Sequence, residues 1–153
     1  MALTTTITEE LTLEGSDCGA SASIEQGDVV YYDSKIYRLT AGAYSQVVLY
    51  RCTSSGSNSP SLGIRYNYNK VKYARITNLD DSDECTISIK TRTSSSSYFQ
   101  VIIGSGGSFI INDHSQFMNN TTTPSYQIVE EVSASGPIGS EVDVEVFIGY
   151  EAA

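Results

Sequence analysis

The sequence has no tryptophan, and its single histidine is His114, which stands beside Asp113 in a polar segment. Without tryptophan, the Cys…Trp…Cys pattern of an immunoglobulin-like domain is absent, and the case for a sugar-binding surface is weaker. A catalytic histidine needs a nucleophile and an orienting group around it, and no G-x-S-x-G motif marks such a nucleophile. We therefore expect no enzymatic activity.

Long apolar runs are also missing. No stretch approaches the roughly 20 apolar residues that a membrane span needs, and the start, MALTTTITEE, has neither the basic nor the apolar region of a signal peptide. The three cysteines, Cys18, Cys52 and Cys85, are an odd number without a C-x-x-C pair, so they indicate no disulfide framework. We expect small buried thiols in a reducing compartment, with one disulfide plus a free thiol as the alternative.

Basic residues are missing from both ends of the chain. All nine lysines and arginines lie between Lys35 and Arg92, whereas residues 1–34 and residues 93–153 each hold seven acidic residues and no base. With a net charge of −9, the chain is a poor candidate for binding nucleic acid. The segregation predicts that the basic middle pairs with the acidic ends, either within one domain or between neighbouring copies.

What the sequence does have is a regular β pattern between Lys70 and Asn112. The runs KVKYARITNL, CTISIKTRT and YFQVIIG are rich in β-branched residues and are separated by DDSDE and SSSS, and GSGG leads into SFIIN. Alternating apolar and polar residues are typical of antiparallel strands with one buried face. A phase slip near Tyr73–Ala74 predicts a β-bulge. We expect DDSDE and the glycine-rich segment at 104–107 to be hairpin turns, the latter with positive φ.

Segments outside this block also show the alternating pattern of β-strands. VVYY and KIYRL flank Asp33-Ser34 and predict a hairpin over Asp28–Thr40, and the alternating residues of Glu141–Tyr150 predict a last strand. About eight to ten strands without a convincing helix predict an all-β fold, a jelly-roll-like antiparallel β-sandwich, with a barrel as the alternative. We expect residues 1–27 to form an extended N-terminal arm or first strand with a loop, and residues 28–153 to form a single sandwich domain.

The acidic segment inside the regular block is a weak candidate for a metal site, because hard cations bind closely spaced carboxylates. The segment lacks the glycine and the distant bidentate glutamate of an EF-hand loop. We therefore expect a solvated turn without metal or cofactor, and a calcium-stabilised turn is the alternative. The four candidate residues are Asp80, Asp81, Asp83 and Glu84.

Two further carboxylate pairs resemble the paired acids of glycosidases. Strand alternation places Glu130 and Glu131 on opposite faces, and Asp143 and Glu145 on the polar face of the last strand. Neither arrangement favours catalysis, and the glycine-rich segment lacks the lysine and helix of a phosphate-binding loop. The two carboxylate pairs and the glycine-rich segment therefore predict no catalytic site.

Tyrosines give the clearest binding signal, because eight of the eleven crowd the first half of the chain. Their side chains are suited to protein interfaces, to stacking on sugars, or to the edges of a core. The eight are Tyr31, Tyr32, Tyr37, Tyr44, Tyr50, Tyr66, Tyr68 and Tyr73. From the N-terminal arm and the basic, tyrosine-rich segment we take as interface candidates Leu3, Ile7, Leu11, Arg65, Tyr66, Tyr68, Lys70 and Lys72.

The segments KYARITNLDDSDECTISI, YFQVIIGSGGSFIIN and VDVEVFIGYEAA resemble a group of small virion proteins of tailed bacteriophages, especially from aquatic hosts. The opening MALTTTITEELTLEGSD is similar to their N-termini. The resemblance covers about the first seventeen residues and most of 70–150, and it leaves out residues 28–66. It implies a jelly-roll-like structural component of head or tail, without catalytic residues, that is present in repeated copies and assembles in the bacterial cytoplasm.

From this resemblance we expect a head decoration, or cement, protein of the virion. Its partners would be the major capsid protein or other virion proteins, and a small symmetric homo-oligomer such as a trimer is expected. A tail, neck or adaptor component is the alternative within this class. A carbohydrate-binding or receptor-binding fibre module that uses the tyrosine-rich half is the alternative outside it. No nucleic acid or membrane is expected as a partner.

Overall fold

A computed structural model gives the backbone of most of the chain. It describes residues 3–8, 12–17, 19, 21–26, 29–40, 46–53, 65–67, 70–92, 97–112, 117–118 and 126–151. Within these ranges every regular element is a β-strand. The strands in chain order are β1 Leu3–Thr8, β2 Thr12–Leu13, β3 Ser16–Asp17, β4 Ser21–Gln26, β5 Tyr31–Leu39, β6 Val47–Thr53, β7 Arg65–Asn67, β8 Val71–Asn78, β9 Cys85–Arg92, β10 Ser97–Ile103, β11 Ser108–Ile111, β12 Phe117–Met118, β13 Tyr126–Ser135 and β14 Val142–Tyr150.

Two sheets form the body of the molecule. The smaller sheet has the order β11-β8-β14-β5, and the larger has the order β10-β9-β13-β6-β7 with β12 on β13. Eight of these strands pair from the outside inwards, first with last: β5 with β14, β6 with β13, β8 with β11 and β9 with β10. This nested pairing is that of a long antiparallel hairpin rolled over two sheets, a jelly roll. The predicted sandwich is confirmed, except that β7 pairs parallel to β6.

The core lies between the two sheets and follows the alternation of the strands. In β14 the four residues Val142, Val144, Val146 and Ile148 are buried, and the three residues between them are half-buried. Ile87 and Ile89 of β9 face them from the larger sheet and are fully buried. Burying a side chain of this size stabilises the fold by about 1.5–3 kcal/mol. The prediction for the last strand is therefore confirmed.

The hairpin predicted over Asp28–Thr40 is wrong, because β5 runs without interruption from Tyr31 to Leu39. Asp33 and Ser34, predicted as its turn, lie mid-strand opposite Ile148 and Phe147. The Asp33 carboxylate accepts a hydrogen bond of 2.6 Å from the Tyr66 hydroxyl. Long-range pairing with β14 thus overrides the local turn preference of Asp-Ser.

The two predicted hairpin turns of the central block are instead corners between the sheets. DDSDE connects β8 of the smaller sheet to β9 of the larger, and residues 104–107 connect β10 back to β11. The corners are bonded to each other, since Gly106 N–H donates to Asp80 O at 3.1 Å. Of the three glycines expected to have positive φ in this segment, Gly106 does, at +67°, whereas Gly104 and Gly107 do not. The block is therefore shared between two sheets, because each corner carries the chain across the core.

The predicted bulge is present close to its expected position. Gly149 of β14 faces Tyr73, but Tyr150 faces Val71, so Lys72 is an extra residue in β8. As a result Val71 and Tyr73, two residues apart, lie on opposite faces of the sheet: Val71 and Ala74 belong to the core, whereas Tyr73 does not. Tyr73 is buried on the outer face, beside Gly149.

The N-terminal segment forms a ribbon of its own. β1 pairs antiparallel with β4, and β2 with β3, around a turn at Glu14 and Gly15, both of which have positive φ. Residues predicted as a loop therefore pair with the predicted arm. The ribbon meets the sandwich at Leu3, whose Cδ2 lies only 3.1 Å from the place where a Cβ on Gly149 would be. A glycine at this position lets the ribbon approach the outer face of β14.

The two cysteines in the described residues, Cys52 and Cys85, are free and buried, as predicted, and Cys18 lies outside those residues. Burial raises the pKa of the Cys52 thiol to about 12, and burial followed by the charge of Glu84 raises that of Cys85 to about 11. Because the thiolate is the reactive form, both thiols should be protected in the folded protein.

We expect a Cys18→Ser variant to show almost no reaction of Cys52 and Cys85 with a thiol reagent at pH 8, and full reaction of both in denaturant. The measurement is the rate of labelling followed by mass spectrometry with and without denaturant. Equal rates in the two conditions would show that these side chains are not buried.

Candidate interaction surface

Ion pairs join the basic middle of the chain to its acidic C-terminal part. Each of the seven ion pairs among the described residues links a base from segment 35–92 to an acid from segment 130–151. The best defined is Arg38 with Asp143, whose two N–O distances are both 2.9 Å. This hydrogen-bonded guanidinium lowers the pKa of the Asp143 carboxyl. The predicted pairing of middle and end thus occurs within one chain, so the basic segment is largely neutralised.

The carboxylate pairs considered for catalysis belong to this ion-pair system. Glu130 pairs with Lys90 and Glu131 with Arg51, at 3.1 and 2.6 Å. On β14, Glu145 pairs with Arg75 at 2.9 Å, next to the Arg38–Asp143 pair. Each acid faces its own base across neighbouring strands, which is an arrangement that holds sheets together at the surface. His114 lies outside the described residues.

The predicted acidic turn closes on itself. One Asp80 oxygen, Oδ1, accepts hydrogen bonds from the Ser82 and Asp83 N–H groups at 2.9 and 2.8 Å and from the Ser82 hydroxyl at 3.0 Å. These bonds, that from Asp83 first, lower the pKa of Asp80. Asp81 lines a shallow polar cleft of about 330 Å³ with Asp80, Arg38 and Asp143. Asp83 and Glu84 continue the turn, and no group of three or more His, Cys, Asp or Glu side chains in the described ranges is placed to hold a metal ion.

The tyrosines divide between core and surface. Tyr50, Tyr66 and Tyr73 are buried, and the Tyr66 ring touches the rings of Tyr50 and Tyr150, with centroids 6.3 and 5.2 Å apart. Tyr37 is half-buried and donates to the backbone oxygen of Leu49 at 2.9 Å. Most of the described tyrosines therefore contribute to the fold, and the others are exposed.

The predicted interface residues are also dispersed. Tyr66 is in the core with 2% of its surface exposed, while Lys70 and Lys72 share Glu151 as ion-pair partner at 3.4 and 3.1 Å. Arg65 is half-buried on β7, and its Nε has no hydrogen-bond partner in the part of the chain that the structure describes. Leu3 contacts the sandwich, as described above. The backbone of Ile7 pairs with Ala22, and Leu11 and Tyr68 lie outside the described residues.

An aromatic group that the sequence analysis missed covers the outer face of the smaller sheet. Phe147 is stacked on Tyr32 with ring centroids 5.7 Å apart, and it meets Tyr73 edge-on at 6.0 Å. The Arg75 guanidinium lies 5.8 Å from the centre of the Phe147 ring, within cation–π distance. The sequence signal was present, because Phe147 interrupts the polar side of the alternating last strand.

Six of the eight exposed large apolar side chains in the described residues lie at two sides of the sandwich, and the other two, Leu79 and Ile138, lie in connections between strands. On β5 and just before it, Val30, Tyr31, Tyr32 and Ile36 are exposed, Tyr32 and Ile36 by 66% and 65%. On β10, Tyr98 and Ile102 are each 62% exposed. β5 and β10 are the end strands of different sheets, and β10 is joined by a short corner to β11, the strand at the end opposite β5. The two apolar sides therefore lie at opposite lateral ends of the molecule.

The described surface carries clusters of exposed apolar side chains at two sides. Clusters of exposed aromatic and aliphatic residues are typical of interaction sites. No described helix is long and apolar enough to cross a membrane. Comparison of the chain with models of known protein families gives no match, and neither does comparison with curated proteins.

Proposed function

We propose that the protein is a non-enzymatic structural subunit of a virion, a decoration protein that binds to the outside of the capsid lattice. The observation that carries the proposal is the pair of apolar sides at opposite ends of a jelly roll whose described basic residues are mostly paired within the chain. A subunit that contacts neighbours on two sides is suited to covering a repeated surface. The resemblance of the sequence to small phage virion proteins supports the same conclusion.

The proposed mechanism is burial of surface between capsid subunits, which offsets the outward pressure of packaged DNA. Each apolar residue removed from water stabilises such a contact by about 25 cal/mol per Å² of its buried area. Tyr98 and Ile102 on β10 and the N-terminal ribbon are the parts that we assign to the capsid. The ribbon is a two-stranded element, and such elements are marginally stable alone, so a surface to lie on would stabilise it.

The β10 side gives the first test. We expect Ile102→Lys to weaken binding of the purified protein to particles that lack it by about tenfold or more, because a charge then replaces a residue buried in the contact. The matched control is Ile138→Lys, which also replaces an exposed isoleucine (82% exposed), in the connection between β13 and β14. The measurement is co-sedimentation with particles over a range of protein concentrations.

Three outcomes contradict the proposal in different ways. Failure of the wild-type protein to bind particles removes the decoration function. Equal loss in the two lysine variants shows a general effect of added charge, and equal retention shows that β10 does not face the capsid. A tail or neck component would bind only a few sites per particle, which the saturation level of the same experiment reveals.

A further inference from the structure

We propose that β5 joins two copies of this chain, which connect their smaller sheets edge to edge about a two-fold axis at Ser34. This names the partner at one apolar side of the proposed subunit and in that sense rests on the proposed function. β5 is nine residues long, contains no proline, and pairs on one side only among the described strands. Long exposed edges of this kind are templates for another strand.

The backbone of β5 is oriented for such pairing. Leu79 N–H donates to Asp143 O at 2.8 Å, and Glu151 N–H donates to Lys70 O at 2.9 Å, so odd-numbered residues of β14 direct their polar groups towards β8. The backbone groups of the even-numbered β14 residues therefore bond to β5. The register pairs these residues with the odd-numbered residues of β5. The N–H and C=O groups of Tyr32, Ser34 and Ile36 consequently point to the free side.

The side chains of β5 complement themselves in one register. With Ser34 opposite the partner's Ser34, Tyr32 lies opposite the partner's Ile36. The two-fold axis repeats this pair, so the dimer contains two of them. These are the two most exposed apolar residues of the strand, and both are on the outer face. Directly opposite side chains in antiparallel strands have Cβ atoms about 5 Å apart, close enough for contact.

Charge selects the same register. Asp33 lies opposite the partner's Lys35, and Lys35 makes no ion pair with any residue that the structure describes. An axis at residue 33 would place Asp33 opposite the partner's Asp33, and an axis at residue 35 would place Lys35 opposite the partner's Lys35. Like charges directly opposite each other destabilise strand pairing. The axis at Ser34 is the choice that gives two ion pairs and two apolar pairs. A two-fold dimer therefore replaces the predicted trimer as the oligomer that we expect.

Cross-linking tests the register directly. In a Cys18→Ser background, Ser34→Cys should give a disulfide-linked dimer under mild oxidation, because hydrogen-bonded partners have Cα atoms about 5.5 Å apart, within disulfide range. Tyr32→Cys should form such a dimer at least about tenfold more slowly, since its two copies are offset by about 13 Å along the strands. An equimolar mixture of Tyr32→Cys and Ile36→Cys should link as a heterodimer. Equal rates for Ser34→Cys and Tyr32→Cys alone would overturn the register.

Sedimentation of the unmodified protein tests the dimer itself. The wild-type chain should reach twice its 16.6 kDa mass as the concentration rises. Ser34→Pro should raise the dissociation constant about tenfold or more, because it removes two hydrogen bonds across the axis while all backbone hydrogen bonds to β14 remain; only the weak 3.4 Å bond of the Ser34 hydroxyl to Glu145 is lost as well. Ser34→Thr keeps the N–H group and should dimerise as the wild type does; thermal unfolding confirms that both variants fold.

The outcomes separate this inference from the function on which it rests. A wild-type chain that stays monomeric, or a Ser34→Pro variant that dimerises unchanged, overturns pairing through β5. If the same preparation still binds particles, the decoration function stands and β5 is used for another contact. If the chain dimerises as described but binds no particle, the dimer stands and the decoration function is wrong.

Discussion

Replacing Asn78 with leucine is expected to lower the free energy of unfolding by about 3–4 kcal/mol, because several buried polar groups lose their partners together. Asn78 is fully buried at the end of β8. Its amide donates to Asp83 O at 2.8 Å and to Ile103 O at 3.2 Å, and its side-chain oxygen accepts from Asp80 N–H at 3.0 Å. The Asn78 side chain therefore holds the corner at 79–84 against β8 and against the end of β10, where the second corner begins.

Urea denaturation measures this effect, and Thr77→Val is the matched control. Thr77 is the neighbouring residue, and its hydroxyl bonds to the Ser108 hydroxyl at 2.9 Å on the exposed face. Its replacement should cost less than about 1 kcal/mol, since water can satisfy the remaining hydroxyl. A loss below about 1 kcal/mol for Asn78→Leu would show that the corners are held by other interactions.

The second large effect is expected at Tyr66, where replacement by alanine should lower the free energy of unfolding by about 4 kcal/mol. The ring is buried between Tyr50 and Tyr150, and truncating a buried aromatic side chain leaves a cavity. Tyr66→Phe should cost about 2 kcal/mol by removing only the hydrogen bond to the Asp33 carboxylate. This hydroxyl connects β7 of the larger sheet to β5 of the smaller.

The same denaturation experiment with Tyr98→Ala provides the comparison. Tyr98 is 62% exposed on β10, so its loss should lower the free energy of unfolding by less than about 1 kcal/mol. If Tyr66→Ala instead left stability unchanged and abolished assembly, Tyr66 would be the interface residue that the sequence predicted and not a core residue.

The fold class could be predicted from the sequence because strand alternation is a local property. The run Val142, Val144, Val146 and Ile148 identifies a half-buried strand without knowledge of its neighbours. The corners at 79–84 and 104–107 could not be distinguished from hairpin turns, since both kinds of turn use the same small and polar residues. Only the long-range pairing of β8 with β14 and of β9 with β13 separates them.

The candidate surface was harder to predict than the fold. Tyrosine suits core edges and interfaces equally, so composition alone could not separate the buried Tyr66 from the exposed Tyr32. The role of β5 was hidden because Asp33-Ser34 resembles a turn locally, whereas pairing with β14 determines its conformation. Once β5 is known to be an end strand, the positions of Tyr32, Lys35 and Ile36 in the sequence indicate the register in which two copies of it could pair.

The most direct test of the proposed virion function is the number of copies of this chain in purified particles, measured by quantitative mass spectrometry relative to the major capsid protein. Decoration of a lattice predicts a ratio near one or a simple fraction of it. Absence of the chain from particles made by the genome that encodes it would contradict the account. A handful of copies per particle would contradict decoration and assign the protein to the tail, neck or fibre.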